Sequence, residues 1–79
     1  MALSFYHLLI MSKKTFKSGE YTLHLITSLG GVMIVKLVDK LTKEVVDQRV
    51  FTSVDHDLED YLVSVGIKPE RVINYLKDK

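Results

Sequence analysis

Seventy-nine residues, 47% hydrophobic and 27% charged, describe one small globular domain (residues 1–79) rather than a disordered chain. The absence of cysteine excludes disulfides, iron–sulfur clusters and cysteine-ligated zinc, so stability must come from the core or from a partner, and a homodimer is one way to supply it. A net charge of +1 exerts no global pull towards nucleic acid or an anionic membrane.

Met1–Met11, MALSFYHLLIM, is apolar but lacks the basic start and small-residue cleavage site of a signal peptide. Ser12-Lys13-Lys14 ends the run well short of the roughly 20 apolar residues that a membrane span needs. A cytoplasmic protein with no membrane partner is therefore expected. Leu3–Ile10 reads as a first strand or as a segment docked on the sheet, residues 1–12 together forming an N-terminal strand or leader, with Met11 an alternative start. Ser12–Gly19 then carries Lys13, Lys14 and Lys17 around Phe16. Lysines interleaved with an aromatic can hold a phosphate backbone and stack a base; the plainer reading is a solvated loop beside a sheet.

Residues 20–52 form the organising stretch, three consecutive strands with two tight connections. Glu20–Thr27 and Val32–Val38 are rich in β-branched and aromatic residues, contain no proline, and are separated by Leu29-Gly30-Gly31. The two glycines supply the positive φ of a two-residue hairpin turn. VMIVKLV is apolar at nearly every position, which predicts a central strand covered on both faces. Asp39–Lys43 is a polar turn, and Val45–Phe51 resumes with clear alternation: Val46 and Val50 to one side, Asp47 and Arg49 to the other, taken as outward.

After Ser53 the hydrophobic period changes from 2 to 3.6. Leu58, Tyr61, Leu62 and Val65 make one helical stripe, capped by Ser53 or Asp55 and stopped by Gly66. Pro69 opens a second helix with Val72, Ile73 and Leu76 on its stripe and Tyr75 beside it, so two helices are expected over residues 54–78. Segregated strands and helices predict an α+β fold: an antiparallel β-meander of three to four strands, followed by two short helices packed on one face.

Catalytic constellations are not found. His7, His24 and His56 lack two-ligand spacing, and two of them sit inside strand patterns where histidine is usually structural. Ser53, Asp55, His56 and Asp57 are neighbours at one helix start and cannot converge on a carbonyl. Gly30-Gly31 has neither phosphate-loop spacing and leads into a strand. No enzyme activity, metal or cofactor is expected. Asp55, Asp57, Glu59 and Asp60 form the densest charge cluster; it serves a solvated, well-capped helix start, or an acidic patch that steers association with a basic partner.

Leu58–Tyr75 invites comparison with a helix-turn-helix whose second helix would present Lys68, Arg71, Asn74 and Lys77 to a groove. Leu62 is bulky where that motif wants alanine and no third helix follows, so a plain αα-hairpin covering the sheet is the reading adopted.

Val35–Val46, VKLVDKLTKEVV, resembles the hairpin of flagellar FlaG-type proteins, V-x-x-x-D-K-x-T-G-E-V-I, with Lys43 in place of glycine; this is a shared hairpin solution rather than kinship. From Tyr21 to Lys77 the order of elements resembles small phage anti-CRISPR proteins, in particular those that block the type I-F surveillance complex. That resemblance implies a non-enzymatic inhibitor that occludes a surface of a multisubunit host complex. On chemistry alone, Tyr6, Tyr21, Asp47 and Arg49 are the candidate contacts, with the acids Asp55, Asp57, Glu59 and Asp60 steering encounter. The alternatives are a nucleic-acid binder using Lys13, Lys14, Lys17, Lys68, Arg71 and Asn74, and a structural homo-oligomeric subunit.

Overall fold

The computed structural model describes residues 10–28 and 30–78. Four strands, β1 (Ile10–Lys17), β2 (Tyr21–Ser28), β3 (Met33–Asp39) and β4 (Val45–Phe51), precede two helices, α1 (His56–Ser64) and α2 (Pro69–Lys77). The strands pair antiparallel in chain order, β1-β2-β3-β4, so the sheet is a four-stranded meander within an α+β fold.

β1 lies where a basic loop was expected over residues 12–19. Its alternation explains the difference: Ser12, Lys14 and Phe16 pair with Thr27, Leu25 and Leu23 on one face, while Lys13 and Lys17 fall on the other. An edge strand tolerates lysines because its outer side stays in water. Of the first strand expected at Leu3–Ile10, all but Ile10 lies outside the described residues, as does Tyr6.

Each connection has an identifiable chemical cause. Gly19 and Glu20 join β1 to β2 beneath a Ser18 N–H to Tyr21 carbonyl bond of 3.0 Å. The next turn is one residue longer than the expected two, because Ser28 N–H bonds the Val32 carbonyl at 3.0 Å and encloses residues 29–31. Gly30 (φ +89°) and Gly31 (φ +80°) carry its left-handed backbone. Between β3 and β4, Asp39 Oδ1 accepts the Leu41 and Thr42 amides at 2.8 and 3.1 Å, and Lys43 takes φ +64°.

The core forms between one face of the sheet and the helices. Phe16, Leu23, Leu25, Met33, Val35 and Leu37 meet Leu58, Tyr61 and Leu62 of α1, Ile67 of the connection, and Val72 of α2. A fully buried leucine contributes about 1.5–3 kcal/mol of transfer free energy, and Leu23, Leu58 and Leu62 have no exposed surface. The expectation that β3 is covered on both faces is corrected: its burial alternates, with Met33, Val35 and Leu37 buried and Ile34, Lys36 and Val38 half-exposed. Only two layers exist among the described residues, and among these one face of the sheet is uncovered.

Asp55 caps α1 by accepting the Asp57 and Leu58 amides at 3.1 and 3.4 Å. At the other end Gly66 (φ +84°) completes a Schellman stop: its amide reaches the Val63 carbonyl, and Ile67 N–H reaches Leu62 O at 2.9 Å. Ile67 and Leu62 are both buried, which locks the turn into the core. Pro69 stands at the start of α2, as the sequence predicts.

Candidate functional site

The uncovered face can be read row by row from the register. Lys13–Ile26–Ile34–Val50 forms one cross-strand row, Thr15–His24–Lys36–Gln48 the next, and Lys17–Thr22–Val38–Val45 the third. The β3–β4 ladder shifts between Leu37 and Val38, leaving Val45 and Val46 together opposite Val38. Counting back from Asp47 puts Val46 on this face, and pairing with Val38 puts Val45 there too. Val45, Val46 and Val50 expose 54%, 51% and 59% of their surface. An aliphatic tract on β2, β3 and β4 is therefore bordered by Lys13, Lys17, His24 and Lys36. None of these strand positions carries an acid, a phenylalanine or a tyrosine.

Asp47 and Arg49 were expected to face outward; the structure turns them to the helix side. They pair with Leu37 and Val35, both core residues, and it is Val46 and Val50 that look outward. At the sheet edge the helix layer ends over these two side chains, and Tyr61 gives them a partner. Its hydroxyl donates to Asp47 Oδ2 at 3.0 Å, Arg49 Nε lies 3.4 Å from the same oxygen, and the guanidinium sits 5.0 Å from the Tyr61 ring centre. The Tyr61 hydrogen bond, with lesser help from the Gln48 amide and Arg49, holds the Asp47 carboxyl below its usual range. Burial, reinforced by Asp47, pushes the Tyr61 phenol up to about 12.

The other candidates divide. Tyr21 also faces the helices and packs against the core, so it is not an outward contact. Asp55 is engaged as a cap and by the Ser53 hydroxyl at 2.7 Å, interactions that lower its pKa, led by the hydroxyl. Glu59 lies 3.5 Å from His56 Nδ1. Asp57 and Asp60 do converge with Arg49, lining an open groove of about 490 Å³ between β4 and α1.

The nucleic-acid candidates are split across the molecule by strand alternation. Lys13 and Lys17 lie on the uncovered face, whereas Lys14 reaches to 6.0 Å from the Tyr75 ring on the helix side. Arg71 lies 5.6 Å from the Phe16 ring centre and donates to the Lys17 carbonyl at 3.4 Å. Lys68 is the N-cap position of α2 and Asn74 is exposed on that helix.

Sequence reasoning missed Ile26, Ile34, Val38, His24, Lys36 and Gln48 as a surface. A signal was present: His24 and Lys36 interrupt otherwise apolar strands, and the register places them side by side. Among the described residues, no three His, Cys, Asp or Glu side chains are placed to hold a metal ion, and no helix is long and apolar enough to cross a membrane. No protein-family model, curated protein or solved structure matches the chain.

Proposed function

We propose that the chain is a small non-enzymatic binding domain that lays the uncovered face of its sheet on a protein partner and occludes the surface it covers. One observation carries this reading: the in-register row Ile26–Ile34–Val50, continued by Val38, Val45 and Val46 and bordered by Lys13, Lys17, His24 and Lys36. Removing aliphatic surface from water supplies about 25 cal/mol per Å², and the three lysines select an apolar partner surface with carboxylates at its rim. The resemblance to anti-CRISPR inhibitors points the same way, with a multisubunit host complex as the kind of target. Nucleic acid fits this face less well, since among the described residues Phe16, Tyr21, Phe51, Tyr61 and Tyr75 all lie on the helix side and only the His24 imidazole is left to stack a base.

The test is affinity capture from a candidate host lysate with nuclease present, comparing the parent with Ile34→Glu and Lys36→Glu. Both positions are half-exposed, so the core is untouched. A stoichiometric protein captured by the parent and lost by both variants supports the face as the site. Equal capture by all three, or capture that vanishes with nuclease, overturns it.

A further inference from the structure

Among the described residues β4 is a free edge of the sheet, and its sequence is self-complementary. Val45–Phe51 runs apolar, apolar, acid, Gln48, base, apolar, apolar. Two copies laid antiparallel about Gln48 set Asp47 of each against Arg49 of the other, and Val46 of each against Val50 of the other. Opposite charges facing each other across a ladder stabilise it; any register shifted by two residues loses both charge pairs.

The hydrogen-bond phase agrees. Ser28 N–H bonds the Val32 carbonyl, so the even-numbered residues of β2 direct their main-chain groups towards β3. Alternation through the ladders then directs Met33, Val35 and Leu37 at β4, where Phe51, Arg49 and Asp47 answer them. The main-chain groups of Gln48 and Val50 consequently point away from the sheet. A twofold pair centred on Gln48 needs those groups: Gln48 exchanges two bonds with Gln48 of the second copy. Asp47 and Arg49 then form the closely spaced, non-hydrogen-bonded pairs.

In the single chain Asp47 Oδ1 accepts the outward Gln48 amide at 2.9 Å. On pairing, the amide passes to a carbonyl of the second copy and that oxygen becomes free for its Arg49, while Tyr61 keeps the other oxygen. The opposite edge offers no such match, because β1 places Lys13, Lys14 and Lys17 along it and two copies would oppose like charges.

We propose that the chain forms a twofold homodimer through β4, fusing two meanders into one eight-stranded sheet. The seam is tested at Asp47, Gln48 and Arg49 of β4, and the uncovered face at Ile34 and Lys36 of β3, so loss of one leaves the other to be measured. The experiment is sedimentation equilibrium over a concentration series, with parent, Gln48→Pro, Asp47→Arg and Arg49→Asp. The parent approaches twice the 9.1 kDa chain mass. Gln48→Pro removes an amide that no β3 bond uses, so it stays folded and becomes monomeric. Each charge variant alone opposes like charges and is monomeric, whereas an equimolar mixture of the two recovers a dimer. A parent that stays monomeric throughout overturns the proposal. So does a dimer that persists in Gln48→Pro, or a mixture of folded charge variants that stays monomeric.

Discussion

Tyr61 allows one part of the helix–sheet contact to be titrated. Its phenol is buried against Phe51, donates to Asp47, and has its pKa raised to about 12 from an ordinary 10.0. Because the folded value is the higher one, the native state favours the neutral phenol. The contribution is therefore fully present below pH 10 and is lost as pH rises towards 12. At about 1.36 kcal/mol per pKa unit, and discounted for the solvent that reaches the Asp47 carboxylate, the loss comes to about 1 kcal/mol by pH 11. The quantity to follow is the difference between the parent and Tyr61→Phe, which cancels every contribution the two proteins share. Urea unfolding at neutral pH should show the parent ahead by about 1 kcal/mol, the worth of one hydrogen bond to a partly solvated carboxylate. By pH 11 that lead should vanish or reverse. Parallel stability curves for the two proteins from pH 8 to 11 would show that the phenol is not held neutral by Asp47 and burial.

Two backbone positions give further expectations. Lys43 holds φ +64°, which costs an L-residue about 1–2 kcal/mol. Lys43→Gly relieves that strain and returns about half of the gain through the freer unfolded chain, so the urea midpoint should rise by the equivalent of about 0.5–1 kcal/mol at unchanged slope; a lower midpoint contradicts the assignment. At Gly66 (φ +84°) an added Cβ has room, its nearest neighbour being Ser18 Cβ at 3.8 Å. Gly66→Ala should therefore cost only the backbone penalty, about 1–2 kcal/mol, with a fall of about 4–8 °C in Tm per kcal/mol read by calorimetry.

The helical half of the chain was legible because its signals are local. Leu58, Tyr61 and Leu62 form a stripe at a single period, and Asp55, Gly66 and Pro69 each do at a helix end what their backbone chemistry prescribes. The succession of β2, β3 and β4 was equally legible from turn residues. The sidedness of β4 was not, because Val45–Phe51 is amphipathic in either phase: Val46 and Val50 look like core, and Asp47 and Arg49 look like surface. Register decides it, by opposing Phe51 to Met33 and Asp47 to Leu37. The one local hint was Phe51, a large aromatic in phase with Asp47 and Arg49. β1 was obscured for a related reason, since lysines on both faces of an edge strand erase the apolar alternation that marks an inner one.

The near-neutral net charge conceals a division that bears on both proposed surfaces. The paired strand positions of the uncovered face hold Lys13, Lys17 and Lys36 with no acid among them, while Asp55, Asp57, Glu59 and Asp60 stand at the start of α1 on the other layer. Two copies meeting face to face would bring one set of lysines against the other, so burial of the aliphatic tract would be opposed by like-charge repulsion in a medium of falling dielectric. Edge pairing through β4 avoids that conflict, because its own charges alternate in sign about Gln48 and the lysine-bearing β1 strands end at the far margins. It also sets the Val50 of each copy beside the Val46 of the other, so the two aliphatic tracts join into one. A dimer built this way would present a face about twice as wide to an acidic partner, with Val46 and Val50 shared between the seam and the face, so that occlusion by the face and self-association by the edge would reinforce each other.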